Sequence, residues 1–168
     1  FFREIDGRRR ELLRRLAAQG TTLVFLSETG VCGGSDKIRF EPELKSGDHV
    51  HRVVAEPGVV DNVTSEMDTV ALRDCGVSTR SGPRCTVREA AGVRVLARYA
   101  DDGTPAIAER LDADCRRVYI CEPGGLTPGL MNRLAREAGV HIFSDSRDVV
   151  EANASFLLFH ARNAGAKT

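Results

Sequence analysis

The chain has 168 residues, 42% of them hydrophobic and 29% charged, with 24 Lys+Arg against 24 Asp+Glu. That length suits one domain with a sizeable core, and the balanced charge excludes the basic field by which nucleic acid or an anionic membrane surface is bound. No apolar run approaches the roughly 20 residues needed to span a bilayer. Five cysteines, Cys32, Cys75, Cys85, Cys115 and Cys121, are odd in number and form no CxxC pair. They therefore read as small buried hydrophobes and not as a zinc site, and no metal or cofactor is expected. The sequence begins at Phe1 without Met and ends at Thr168 without an evident cap. It reads as truncated at both ends, so the lack of a targeting segment says nothing of compartment.

In chain order, Phe1-Phe2 reads as the tail of a strand. Asp6 caps a helix running to Gln19, with Leu12, Leu13, Leu16 and Ala17 on one face and Gly20 just beyond. Arg8, Arg9, Arg10, Arg14 and Arg15 crowd this helix, but Glu4 and Glu11 offset them; a solvated face is expected, not a phosphate site. Thr21–Leu26 (TTLVFL) has the continuous apolar pattern of a strand covered on both faces, and a helix feeding it over one glycine is the αβ half of a βαβ unit. Between Ser27 and Glu89 repeated Gly and Pro imply loops, short strands and a helix near Val63–Leu72 capped by Asp61.

The pattern then sharpens. Val93, Val95 and Ala97 alternate with Arg94, Leu96 and Arg98 in a strand up to Tyr99, Asp101-Asp102-Gly103 supplies hairpin chemistry, and Thr104–Glu109 returns. Arg117–Cys121 is a further strand. Thr127-Pro128 starts a helix with a Leu130, Leu134, Ala138 stripe ending at Gly139. Val140–Phe143 and Ser155–His160 read as strands, with 155–168 as the possible start of a following β-rich domain and Asn163-Ala164-Gly165 as a turn.

Three constellations bear on chemistry. Gly30-Val31-Cys32-Gly33-Gly34 fits the G-x-C-x-G form of a nucleophile elbow, where a strand, a strained turn and a helix N-terminus activate a thiol. Here Ser27-Glu28-Thr29 separates strand from motif, only Ser35–Glu41 is available for the helix, and none of His49, His51, His141 and His160 has the His-x-Glu context of class I amidotransferases. The favoured reading is a loop cysteine, with no catalytic residue in the chain. The alternative is a Cys-dependent amidotransferase or hydrolase using Cys32. Asp48-His49-Val50-His51 places two imidazoles on one strand face, read as surface histidines and not metal ligands. Asp145, Asp148 and Glu151 form an acidic loop after a strand end, where open α/β sheets bind ligands; carboxylates there read as caps and turns before glycosidase acids. His160 reads as a core histidine, and Gly124-Gly125 lacks the context of a nucleotide loop.

With these residues in view, GTTLVFLSETG (20–30), RVLARYADDGTPAIAER (94–110) and VYICEPGGLTP (118–128) onward resemble the glutamine-amidotransferase-like (β-galactosidase trimerisation-like) domain of large bacterial glycoside hydrolases. The resemblance implies a flavodoxin-like three-layer α/β sandwich with a mainly parallel sheet and an added β-hairpin. It also implies a non-catalytic accessory role beside a catalytic barrel: interdomain packing, oligomerisation with other protomers, and sometimes shaping the active-site rim. Gly30 falls at the family's loop glycine, which puts Cys32 beyond the nucleophile position. A third reading, a sugar-binding module using the hairpin and the Asp145–Asp148 loop, is weakened by the absence of Trp and by only two Tyr.

Overall fold

The computed structural model describes residues 3–56, 81–113, 115–126, 128–143 and 149–160. They divide between two compact units, 1–130 and 131–168. The expected tail of a strand at Phe1-Phe2, the Asp61-capped helix, the turn at Asn163-Ala164-Gly165 and residues Cys75, Asp145 and Asp148 lie outside the described residues.

In the first unit, α1 (Gly7–Ala18) opens as its sequence requires. The Asp6 carboxylate accepts from the Arg9 N–H at 2.9 Å, and Gly20, at φ +72°, follows the last turn. Its arginines face outward in ion pairs such as Arg9–Asp6 and Arg14–Glu11. Then come β1 (Leu23–Leu26), the single turn α2 (Ser35–Ile38), β2 (Pro42–Val50), β3 (Val53–Ala55), β4 (Ser81–Val87), β5 (Val93–Tyr99), β6 (Pro105–Leu111) and β7 (Arg116–Ile120). A 3-10 turn at Pro123–Gly125 follows. A third helix, α3 (Pro128–Glu137), begins in this unit and ends in the second.

The architecture corrects the flavodoxin-like expectation. The main sheet has the order β1-β7-β6-β5-β3, and only β1 and β7 are parallel; the other three pairings are antiparallel. β2 and β4 form a separate antiparallel pair. Nine strands stand against three α-helices among the described residues, so the fold is mainly β with a mixed sheet. The reason lies in the connections. β5, β6 and β7 are joined by links too short for a helical crossover, and such links permit only antiparallel neighbours. β1 also departs from expectation: it is an edge strand with Val24 exposed, not one covered on both faces.

The core centres on Tyr119, fully buried on β7. Its ring lies 6.4 Å from Phe25 in a stacked arrangement and 5.5 Å from Phe40 edge-on, and its hydroxyl donates to Thr29 O at 2.8 Å. Ile5, Ala17, Leu23, Ile38, Cys85, Val87, Ala108, Cys115 and Cys121 complete this cluster. The glycine loop after β1 is shaped to lie on it. A Cβ at Gly34 would stand 2.8 Å from Cβ of Ile5, and one at Gly30 would stand 2.9 Å from Cδ1 of Ile38.

In the second unit, α3 ends in a Schellman-type closure, with Val140 N–H donating to Ala135 O and Gly139 at φ +72°. β8 (Val149–Ala152) and β9 (Leu157–His160) form a hairpin closed by Asn153, whose side chain accepts from the N–H groups of Ser155 and Phe156, both at 2.8 Å. Val140–Phe143, expected as a strand, joins no ladder among the described residues.

Gly34 and Gly103 both have positive φ, but only Gly34 is hemmed in. Gly103→Ala should destabilise by about 1 kcal/mol and Gly34→Ala by about 3 kcal/mol in urea unfolding. Equal losses would mean that the loop does not bear on Ile5.

Candidate functional site

Polar side chains converge where β4, the β5–β6 hairpin and the residues after β7 meet. Arg84 on β4 is buried, and its guanidinium lies 4.0 Å over the Tyr99 ring. It donates to Asp101 at 2.7 Å and pairs with Asp102 at 2.6 Å, the two acids of the hairpin turn. Asp102 also accepts from Lys45 at 2.7 Å and from the N–H and hydroxyl of Thr104. Burial pushes the Asp102 carboxyl up, but the bonds from Lys45 and Thr104 and the charge of Arg84 outweigh it and hold the group well below the usual carboxylate range. Asp101 is lowered in the same way, burial opposing and Arg84 prevailing.

Beside this cluster, His51 Nδ1 lies 2.6 Å from Glu122 Oε2 and its Nε2 lies 3.3 Å from Gly82 O. A carboxylate next to an imidazole is the usual orienting half of a base, but both ring nitrogens here already face protein acceptors. The dyad has no nitrogen left for a substrate and ties the end of β7 to the β2–β3 connection. A sulfur pair lies deeper. Cys85 Sγ is 3.9 Å from the Tyr119 hydroxyl, and Tyr99 donates to Cys85 O at 2.9 Å. The hydrogen bond from Cys121 lowers the Cys85 thiol, whereas burial pushes Cys121 well up. Burial likewise raises both tyrosines.

The residues singled out in the sequence are dispersed. Cys32 is exposed in the turn between β1 and α2, its N–H donating to Arg3 O at 2.9 Å. It lacks the left-handed backbone of an elbow nucleophile; among described non-glycine residues that conformation belongs to Glu28 and Arg39. The following helix is one turn long, and no imidazole is hydrogen-bonded to Cys32 among the described residues. His49 bonds to Ser46 O at 3.1 Å, so the two imidazoles of the DHVH stretch part company, His51 turning into the core. His141 packs edge-on against Phe143 at 4.6 Å. His160 is exposed on β9 opposite Val149, not the core residue expected. Glu151 sits on β8. Gly125 of the Gly-Gly pair packs on Ile107 and Ile120, where a Cβ would meet Cδ1 of Ile107 at 2.9 Å.

Neither the Arg84 cluster nor the His51–Glu122 pair is legible in the sequence. The partners are separated by 17 and 71 positions, and no local pattern announces them.

Two outcomes follow. Asp101 and Asp102 titrate lower folded than their ordinary 3.8, so their stabilisation is present above about pH 4 and is lost as pH falls through the folded values. Urea midpoints should therefore drop as pH falls below about 4, and Asp102→Asn should flatten that drop. In a Cys75→Ser background, Ellman's reagent should modify Cys32 first under native conditions, with Cys85, Cys115 and Cys121 reacting only on unfolding.

No family model and no curated protein matches the chain. Solved structures do. β-Galactosidase from Bacillus circulans sp. alkalophilus superposes with a TM-score of 0.56 at 19% identity, over 86% of this chain and 23% of that one. β-Galactosidase from Rahnella sp. R3 gives 0.54 at 16% identity, over 84% and 23%. The chain thus spans less than a quarter of either enzyme, and it shares the fold of one portion of these bacterial β-galactosidases.

Proposed function

We propose that this chain is an accessory domain of a glycoside hydrolase related to the β-galactosidases, of the trimerisation-like kind, which packs against the catalytic barrel of its own polypeptide or against another protomer. The likeness to one portion of two bacterial β-galactosidases carries this reading, because it covers most of this chain and under a quarter of theirs. The surface supports it. Phe156, Leu157 and Leu158 are exposed at 75%, 55% and 60% on the β8–β9 hairpin, the two leucines on opposite faces of β9, and apolar side chains left this open suit surfaces that meet other protein. The polar network at the sheet end adds to the case, since its carboxylates and imidazole are engaged with one another and hold strands together.

The test compares the 168-residue chain with the complete gene product on p-nitrophenyl β-galactoside. The complete product should hydrolyse it and the 168-residue chain should not. Phe156→Ser/Leu158→Ser in the complete product should lower its sedimentation mass, its melting temperature or both. Turnover by the 168-residue chain alone would overturn the proposal, as would a complete product with no glycosidase activity.

A further inference from the structure

Two thiols meet inside the core where the β2–β4 pair joins the main sheet. Cys85 lies on β4 and Cys121 directly follows β7, and they are 3% and 1% exposed. Adjacent carbonyls of β6 hold the two segments. Pro105 O accepts from the Thr86 hydroxyl at 2.7 Å, and Ala106 O accepts from the Cys121 N–H at 2.8 Å. Tyr119 and Cys121, two apart along extended chain, point to one side, and the Tyr119 hydroxyl lies 3.9 Å from Cys85 Sγ. The Cys121 thiol donates to Cys85, so the two sulfurs are direct neighbours within one buried cluster, and both are free thiols.

We propose that Cys85 and Cys121 are a redox pair that closes to a disulfide in an oxidising environment and locks the β2–β4 pair onto the main sheet. The oxidant is a small-molecule disulfide of the glutathione type. Such a molecule does not fit at thiols this buried, so the first step takes place while β4 is off the sheet, as it is during folding. The Cys85 thiolate, its proton given to solvent, attacks one sulfur of the oxidant; the S–S bond breaks, one glutathione thiolate leaves and a mixed disulfide remains at Cys85. As β4 settles, Cys85 returns to Cys121. The Cys121 thiol gives its proton to the first glutathione thiolate and its sulfur attacks Cys85 Sγ, expelling the second glutathione, which takes up a proton from solvent. The pair loses two electrons and two protons, and one glutathione disulfide becomes two glutathiones. The new bond closes a loop of about 36 residues that contains β5, β6 and β7, and a cross-link of that span chiefly restricts the unfolded chain.

Refolding tests it. The Cys32→Ser/Cys75→Ser chain, which keeps Cys85, Cys115 and Cys121, is refolded from urea with dithiothreitol or with mixed reduced and oxidised glutathione. Remaining thiols are alkylated in urea and the chain is cut with trypsin, which leaves each cysteine in its own peptide. After glutathione, peptides 85–88 and 118–133 should be joined, lighter by two hydrogens than their sum, with Cys115 alkylated. The joined chain should melt about 10 °C above the reduced one, and dithiothreitol should abolish the difference. Cys121→Ser in the same background should remove the joined peptide and the rise in melting temperature together. Full alkylation of Cys85 and Cys121 after glutathione refolding would overturn the proposal. So would a link from Cys115 to either of them, or a joined chain that melts no higher than the reduced one.

Discussion

The packing of Tyr119 between Phe25 and Phe40 is the constraint on which the first unit depends. The ring projects from β7, so burying it fixes the parallel neighbour β1 through Phe25 and the segment after α2 through Phe40. The hydroxyl does a second job. Its bond to Thr29 O anchors the start of the glycine loop, and Gly30 and Gly34 let that loop lie flat on Ile38 and Ile5. A phenol buried this deeply needs a partner, and the loop carbonyl provides one. Cys32 is thus held where the loop geometry puts it, at the surface and with no imidazole hydrogen-bonded to it among the described residues.

A second layer of order is electrostatic. Glu109 on β6 is fully buried and pairs with Arg94 and Arg116, and Arg117 pairs with Asp112. Arg84 closes the far end on Asp101 and Asp102. Buried charges of this kind are weak sources of net stability, but removing one partner strands the other. Their effect here is to fix which strands meet at each end of the sheet. Groups so thoroughly engaged offer little to a substrate, which agrees with an accessory role.

Surface that is apolar and open carries the other half of that reading. The β8–β9 hairpin is only two strands, too small to be stable by itself in water, and it presents Phe156, Leu157 and Leu158 outward. The edge of β1 lies beside an apolar groove. Both features are of the kind on which other polypeptide can pack.

Local chemistry decided what could be read directly. The Asp6 cap, Gly20 and the apolar stripe fixed α1, alternation fixed β5, and Asp101-Asp102-Gly103 fixed the hairpin, because each signal lies within a few residues of the element it specifies. Strand order and direction were not legible. TTLVFL carries the same apolar pattern whether it is covered on both faces or lies at an edge, and helix–strand alternation near the N-terminus suggested a parallel sheet that the short β5–β6 and β6–β7 links forbid. The pairings of His51 with Glu122 and of Arg84 with the hairpin acids belong to tertiary structure alone, since a side chain's partner across a sheet is set by strand register and not by its neighbours in sequence.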